Sequence, residues 1–440
     1  MSLDKYTRSI LDKFEIKDLN PMQKKAGQVI RKNEDVVILS PTGTGKTLAF
    51  LLPLIEKLDT DCNEIQALIL VPSRELAQQI EQVARKMGSG FKINSVYGGR
   101  AGSLDKLDLK HRPAILIGTP GRVVDRFRRD ELSLEYIQTL ILDEFDKSLE
   151  IGFKEEMKEI IETLPSVKQR ILTSATQDSQ IPKFARLIFP VFIDYLQNTD
   201  GSNLKIKTIL SPEKDKLQSL EKVIKSLGNQ PGIIFCNFKD ALGRVSDYLD
   251  NKNINHECFH GGMEQVDREL ALIKFRNGTS QLLLATDLAA RGLDIPEIKF
   301  ILHYHLPLHE KEFTHRNGRT ARMNKEGVAY ILQFREEPLP DFIEAIAPET
   351  QEIDELKPDN STSPKWTTLH ITGGRRDKIS KGDIAGLFFK QGKAERDQVG
   401  VIEVQQKSSF VGVHADASEI LIEKTNNSRL KKKKVRISYI

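Results

Sequence analysis

Between residues 36 and 334, short apolar runs alternate with longer stretches of helical pattern. The runs are Ala67–Val71, Ile115–Gly118, Thr139–Leu142 and Arg170–Thr173, then Gly232–Cys236, Gln281–Ala285, Lys299–His303 and Val328–Gln333. Near-continuous apolarity marks a strand buried on both faces, which parallel sheets covered by crossover helices require. The polar stretch Gln197–Asn203 divides the pattern in two. The expectation is two α/β domains, the second without a phosphate loop of its own.

That loop is Ser40-Pro41-Thr42-Gly43-Thr44-Gly45-Lys46-Thr47. It follows the apolar run Val36–Leu39 and precedes Leu48–Leu52, the strand–loop–helix order that a phosphate cradle needs. Glycines let backbone N–H groups turn inward, and the helix N-terminus adds positive potential. Lys46 adds a cation, and Thr47 a hydroxyl for Mg²⁺. Ser40 stands where the strict pattern has Gly. Asp143-Glu144-Phe145-Asp146 ends another apolar strand, where carboxylates of a parallel sheet face the ligand crevice. Asp143 there suits Mg²⁺ held through water, and Glu144 suits positioning and deprotonating an attacking water. In His315-Arg316-Asn317-Gly318-Arg319-Thr320-Ala321-Arg322, the spacing predicts that Arg319 and Arg322 share one helix face, suited to charge on a transferring γ-phosphate.

Cys62, Cys236 and Cys258 are too few and too scattered for a disulfide framework or a zinc pattern, which predicts a reducing, cytoplasmic setting. No run approaches a membrane helix in length, and the N-terminus lacks a signal peptide's apolar core. Charge is unevenly spread. Residues 361–440 hold 16 basic and 8 acidic residues, a net of +8, whereas the whole chain is +4. A localised basic module suggests a polyanion partner. Residues 335–360, with four prolines and 9 acidic against 2 basic residues, predict an unpacked connector. Beyond it the pattern predicts a βαββαβ module: strand Thr367–Ile371, helix Ser380–Phe389, strands Val399–Val404 and Ser409–Val413, helix Ala415–Ile422, strand Lys434–Ile437.

Taken in order, these motifs resemble the DEAD-box RNA helicases of superfamily 2. Further matches are Asn20-Pro21-Met22-Gln23 with Tyr6 upstream, Pro72–Ala77, Gly98-Gly99, Thr119–Arg122, Ser174-Ala175-Thr176, Ile234–Asn237, Gln265 with Arg268, and Ala285–Asp294. The resemblance implies two RecA-like parallel-sheet domains, residues 1–196 and 205–334, joined by a linker at 197–204. They would close over ATP, Mg²⁺ and single-stranded RNA. Tyr6 and Gln23 would hold adenine. Thr42, Gly43, Thr44, Gly45, Lys46 and Thr47, with Gly292 and Asp294, would hold the rest of the nucleotide. Thr47 and Asp143 would bind the metal. Lys46, Asp143, Glu144, Arg319 and Arg322 would be catalytic. Ser174, Thr176, Asp146 and His315 would couple ATP state to RNA, which Pro72, Arg74, Gly99, Thr119, Arg122, Gly261, Arg268 and Thr286 would contact. Phe145 stands where the family has Ala and must find space between the domains. Asn317 replaces an apolar residue, Ala321 a Gly, and His305 an Asp.

After a connector at 335–363, residues 364–440 resemble the RRM-like RNA-binding domain of the DbpA subgroup, through Leu369–Ile379, Gly382–Ile384, Val399–Ile402 and Phe410–Val413. Arg375, Arg376, Lys378, Lys381 and Lys431, Lys432, Lys433 and Lys434 are candidate phosphate contacts. Phe410 is one candidate for base stacking, and Trp366 reads as a packing residue. The resemblance implies a monomer that unwinds short duplexes near a large-subunit ribosomal RNA hairpin during ribosome assembly in a bacterium. A DNA-acting helicase and a general RNA chaperone or clamp are the alternatives.

Overall fold

The computed structural model describes residues 5–41, 43–99, 102–176, 181–196, 204–287, 298–321, 326–359 and 365–440. The side chains of Lys5, Tyr6 and Leu104 are outside that set. So are Thr42, Gly292, Asp294 and Arg322, four of the residues expected at the nucleotide.

The first unit carries seven strands: β1 (Val36–Leu39), β2 (Ala67–Leu70), β3 (Ile93–Val96), β4 (Ile115–Gly118), β5 (Thr139–Leu142), β6 (Gln169–Ser174) and β7 (Val191–Asp194). They pair in parallel in the order β3-β4-β2-β5-β6-β1-β7. Burial explains the apolar runs. Val36 and Ile38 face one core cluster, while Val37 and Leu39 face the other across the sheet. A strand covered on both sides cannot alternate with polar residues. β3 and β7 escaped the pattern because Asn94, Ser95 and Asp194 interrupt them.

The second unit begins with β8 (Leu204–Ser211), β9 (Gly232–Phe235), β10 (Glu257–Phe259), β11 (Leu282–Ala285), β12 (Phe300–His303), β13 (Gly327–Phe334) and β14 (Glu349–Glu352). Their order, β10-β11-β9-β12-β13-β8-β14, repeats the first sheet strand for strand. β14 therefore occupies the edge that β7 fills in the first sheet. It lies inside the expected connector, which is a correction to the sequence reading. Glu349–Glu352 pairs with Lys207–Leu210 of β8, and Ile343 and Ile353 are buried in two core clusters. The prolines and carboxylates of this stretch stay on the outside, so they did not prevent two isoleucines from anchoring it.

The same unit ends in a small antiparallel sheet of β15 (Trp366–Ile371), β16 (Val399–Val404), β17 (Ser409–His414) and, after a two-strand hairpin of β18 (Arg429–Leu430) and β19 (Lys433–Lys434), β20 (Ile437–Tyr439). The strand order is β16-β17-β15-β20. One face, with Leu369, Ile371, Val411, Val413 and Ile437, packs on the helix Lys381–Gly386, the helical turn Leu387–Gln391 and the helix Ser418–Thr425 through Ile384, Phe388 and Leu421. Ser380 and Asp383 form a capping box at the first helix, as their spacing suggested. The last sheet strand starts later than expected, because the lysine run is used in the hairpin.

The burial of Ile353 yields a test. Ile353→Ala should destabilise the second unit by about 2–4 kcal/mol and speed amide exchange along β8 and β14 in the full chain. Unchanged exchange there would return the segment to the status of a loose connector.

Candidate functional site

All seven strands of the first sheet are parallel, so their C-terminal ends share one edge. The motifs sort along that edge by strand order. Gly98-Gly99 follows β3, Thr119 follows β4, and Pro72 and Arg74 follow β2, giving one contiguous half. Asp143 follows β5, Ser174 ends β6, and the phosphate loop follows β1, giving the other.

In the nucleotide half, Gly43 and Gly45 have φ of 82° and 84°, which a side chain disfavours. A Cβ on Gly45 would also stand 2.4 Å from the Gln23 amide. Gln23 is locked beneath the loop: its Nε2 donates to the Gly45 carbonyl at 3.2 Å, and its Oε1 accepts from the Asn20 N–H at 3.0 Å. Asn20 caps the same helix and donates from Nδ2 to the Thr44 carbonyl at 2.9 Å. The Ser40 hydroxyl donates to Thr44 Oγ1 at 2.8 Å, so the residue at the loop's head ties its two ends together. The buried Lys46 Nζ donates to the carbonyls of Ser40 and Pro41, at 2.5 and 3.0 Å, at the start of the helix Lys46–Glu56 that also carries Thr47.

Asp143 and Glu144 are both buried. Burial, reinforced by the Glu144 charge, pushes the Asp143 carboxyl up to about 6, against the pull of the Thr173 hydroxyl and Lys46. Thr173 organises the pair, donating its hydroxyl to Asp143 and accepting the Glu144 N–H at 3.1 Å. Glu144 itself has φ of 49°, a left-handed turn that redirects the chain straight after the strand. A buried carboxylate pair with this electrostatic stress, beside a hydroxyl-bearing helix start, is the donor set that a Mg²⁺–phosphate group fits. Phe145 is a correction. It packs in the core of the first domain, in the cluster with Met157, Ile160 and Leu172. The left-handed turn at Glu144 precedes it, and the bulk that was expected between domains fills this core instead.

The two halves of the edge meet where β2 pairs with β5, and within the nucleotide half β5 and β6 are tied by side chains. Thr176 donates its hydroxyl to Asp146 at 3.2 Å, and Ser174 Oγ accepts the Thr176 N–H at 3.0 Å. Burial raises the Asp146 carboxyl, with the Thr176 bond opposing. In the RNA half, the Arg74 guanidinium lies across Gly98 and Gly99. A Cβ on Gly99, whose φ is 81°, would stand 2.3 Å from it. Thr119 starts the helix Pro120–Arg128, and Arg122 pairs with the buried Asp105 at 2.7 Å.

In the second unit, Gly261 is exposed after β10, Thr286 follows β11, and Arg268 stacks on the Phe259 ring at 4.8 Å. The helix Glu310–Asn317 stops at Gly318, so Arg319 lies in the turn beyond it; the expected face shared with Arg322 falls outside the described residues. Arg319 and His315 are both buried. Sequence reasoning quoted Arg316, Asp287 and Asn237 only as motif members, yet they form the buried centre of this region. Arg316 is 1% exposed. Its Nε and Nη2 donate to Asp287 at 2.7 and 2.6 Å, with further bonds to Asn237 Oδ1 at 2.8 Å and the His305 carbonyl at 2.9 Å. Two departures from the family, Asn317 and His305, stand here, and His303 Nε2 bonds Asn317 Oδ1 at 2.9 Å. That bond puts the proton on Nε2, leaving Nδ1 to face Arg316. Burial, then the Arg316 charge, pushes His303 down to about 3. Burial, then Lys216, pushes His305 down to about 4. Ala321, the other departure, has φ of 52°, the conformation that suits the family's Gly.

In the C-terminal module, Arg375, Arg376, Lys378 and Lys381 are exposed. Lys431 pairs with Asp383 at 2.8 Å and Lys433 with Asp377 at 2.9 Å. These pairs draw the hairpin against the 375–383 loop and merge two separate basic segments into one ridge. Lys432 and Lys434 are exposed on it. Phe410 is only 8% exposed, on the outer sheet face beside His370.

Comparison with known proteins places this geometry. Residues 20–184 match the DEAD/DEAH box helicase model, residues 215–324 the helicase conserved C-terminal domain, and residues 368–439 the DbpA RNA binding domain. The chain is 31% identical over 445 residues to the ATP-dependent RNA helicase DbpA of Bacillus subtilis, covering 92% of this chain and 91% of that one. It is 29% identical to the ATP-dependent RNA helicase DbpA of Escherichia coli, covering 95% and 94%. Among solved structures, Mss116p bound to ssRNA and AMP-PNP superposes with a TM-score of 0.70 at 26% identity, covering 80% of this chain and 77% of that one. Dbp5 of S. cerevisiae has the same fold, with a TM-score of 0.70 at 23% identity, covering 80% and 95%. The chain belongs to the DEAD-box family of ATP-dependent RNA helicases. Within that family its third domain makes it DbpA-like. It is an RNA-dependent ATPase that binds ATP and RNA. Among the described residues, no helix is long and apolar enough to cross a membrane.

The buried histidine carries a pH prediction. Between its ordinary 6.5 and about 3, the unfolded chain binds a proton at His303 that the folded chain refuses. Stability therefore falls as pH drops through that window. His303→Asn should relieve this loss, by about 2 kcal/mol at pH 5 relative to pH 7, in parallel urea unfolding series. Separately, Ala321→Gly should stabilise the second unit by up to about 1 kcal/mol, the left-handed strain less glycine's added chain entropy. A lower denaturation midpoint would reject that account.

Proposed function

We propose that the enzyme separates short RNA duplexes by coupling the two halves of the first domain's strand edge. The observation that carries this reading is the pairing of β2 with β5, which sets the carboxylate motif beside the strand end of Pro72 and Arg74, with the Thr176–Asp146 hydrogen bond tying Ser174-Ala175-Thr176 to that motif. Asp146 is the partner through which a change at Asp143 and Glu144 would reach the strand ends that meet RNA. Asp143 and Thr47 would hold Mg²⁺, which neutralises phosphate charge when bound. Glu144 orients the attacking water and takes its proton. Lys46 exchanges its loop carbonyls for phosphate oxygens. Gln23 must release the Gly45 carbonyl or the Asn20 N–H to read adenine, which makes the loop and the base site respond together.

From the second domain, Arg319 and Arg322 would stabilise charge on the γ-phosphate. RNA would be gripped through its backbone at Arg74, Gly99, Thr119, Arg122, Gly261, Arg268 and Thr286, so the core is tolerant of sequence. The basic ridge of the C-terminal module supplies the address, for which a hairpin in large-subunit ribosomal RNA is the substrate proposed. Action as a monomer in the cytoplasm during ribosome assembly completes the reading.

Lys46→Ala and Glu144→Gln should each lower RNA-stimulated ATP turnover by about a hundredfold or more. Arg319→Ala should lower kcat by about 10³ with little change in ATP affinity. Equal stimulation by RNA and DNA of matched sequence would favour a DNA-acting enzyme. In-cell crosslinking to scattered messenger sites, rather than one ribosomal hairpin, would reject the address.

A further inference from the structure

The correspondence between the two large sheets continues past their strand ends. β10, β11 and β9 take the places of β3, β4 and β2 in the strand order. His260-Gly261-Gly262 follows β10 as Tyr97-Gly98-Gly99 follows β3, and Thr286 follows β11 as Thr119 follows β4. The turn Cys236–Phe238 leads from β9 to the helix Lys239–Asn251, as Val71–Ser73 leads from β2 to the helix Arg74–Met87. Lys239 therefore corresponds to Arg74, and Phe238 to Ser73.

Ser73 and Phe238 both occupy the N-cap of their helices. The Ser73 hydroxyl accepts the Leu76 N–H at 3.2 Å, whereas the Phe238 side chain makes no cap. An apolar residue at this position forgoes a stabilising hydrogen bond. Its ring is also 66% exposed. The rest of the turn is anchored inward. Cys236 is buried, and Asn237 donates its N–H to His305 Nδ1 at 3.4 Å and its Nδ2 to the Leu306 carbonyl at 3.0 Å, while its Oδ1 accepts from Arg316 at 2.8 Å. An anchored turn thus presents an aromatic ring to solvent, at the expense of a helix cap. A local rule broken without a packing gain is expected at functional positions.

Cations and a second ring share this end of the sheet. The Cys236 N–H donates to the Ala285 carbonyl at 3.0 Å and the Thr286 N–H to the Phe259 carbonyl at 3.3 Å, which sets Cys236, Thr286 and His260 at one level. Phe238 stands two residues beyond that level and Gly261 one. Burial, then the charges of Lys239 and Arg268, hold the His260 imidazole below its ordinary range, so both cations act on the same ring. Its Nδ1 accepts the Gly262 N–H at 3.2 Å.

We propose that Phe238 is a stacking platform for one base of the single-stranded RNA whose backbone the second domain grips. Flat rings set among cations are the composition of single-strand sites. Lys239 and Arg268 serve phosphates, and Phe238 serves the face of a base. Every base has such a face, so the stack adds affinity without demanding a sequence. It also favours an unpaired strand, because bases within a duplex are already stacked on their neighbours. The first domain has Ser73 at the matching place, so the base contact belongs to the second domain alone. The inference rests on the reading of Gly261, Arg268 and Thr286 as a backbone grip.

The experiment compares two ligands of the full chain, in Mg²⁺ with a non-hydrolysable ATP analogue. One is an oligouridine of about ten nucleotides, and the other a ribose–phosphate strand of the same length without bases. The unsubstituted protein should prefer the oligouridine, and Phe238→Ala should lose about 5- to 150-fold of that preference. Its binding of the strand without bases should stay within about twofold. Phe238→Trp should keep the preference and Phe238→Leu should lose it. An unchanged preference in Phe238→Ala, or a full one in Phe238→Leu, overturns the platform. Arg268→Ala separates this from failure of the underlying reading: it should weaken both ligands alike, and unchanged binding of both would count against the backbone grip itself. Should the substituted chains fold poorly, 5-iodouridine in the same oligonucleotide should photocrosslink the unsubstituted protein at Phe238, located by peptide mass spectrometry. Crosslinks in this domain that omit Phe238 overturn the proposal.

Discussion

Parallel pairing is the constraint on which everything else here depends. A parallel strand needs a crossover helix, so both faces of the sheet are buried and every strand end points to one edge. The first domain uses that edge twice. β5, β6 and β1 present the carboxylates, the Ser174-Ala175-Thr176 turn and the phosphate loop, while β3, β4 and β2 present the glycine pair, Thr119 and Arg74. The adjacency of β2 and β5 is what makes a nucleotide site and an RNA site neighbours. Thr173 and Thr176, one strand further, link the carboxylates to the turn through hydroxyls.

The second sheet repeats the order and loses the loop. In place of a phosphate cradle it buries an arginine. Arg316, held by Asp287, Asn237 and the His305 carbonyl, is a charge fully served by hydrogen bonds, the condition under which burial is tolerable. Asn317 looks like an isolated departure from the family, unrelated to His303, when read along the chain. In space they are one hydrogen-bonded pair, and the polar residue at 317 is a partner for the imidazole. Ala321 differs: it holds a left-handed backbone without glycine's conformational freedom.

Much of the fold was legible because burial on two faces leaves an unmistakable apolar run. β3, β7, β8, β10 and β14 were missed, because polar or charged residues break the apolar run in each. The connector at 335–363 misled for a related reason, since two buried isoleucines outweigh a majority of solvated acids. At the site, the residues proposed to do the chemistry stand in motifs that the sequence displays. The holding role of residues such as Thr173, Arg316 and Asn237 was not legible there, because a single hydroxyl or guanidinium has no local signature of its partner.

By itself, then, the sequence determined the chemistry: a phosphate loop, a carboxylate pair, a basic third module and the order in which they come. Those follow from side-chain type and short spacing, which the chain carries locally. Only tertiary structure decided what each group faces. Phe145 turned into its own domain's core, Phe410 against His370 on the outer sheet face, and lysines at 431 and 433 onto aspartates that lie some fifty residues away in the chain. The physical reason is the same in each case. A residue's surroundings are set by which distant segments the sheets bring beside it, and sheet order is a property of the whole packed core.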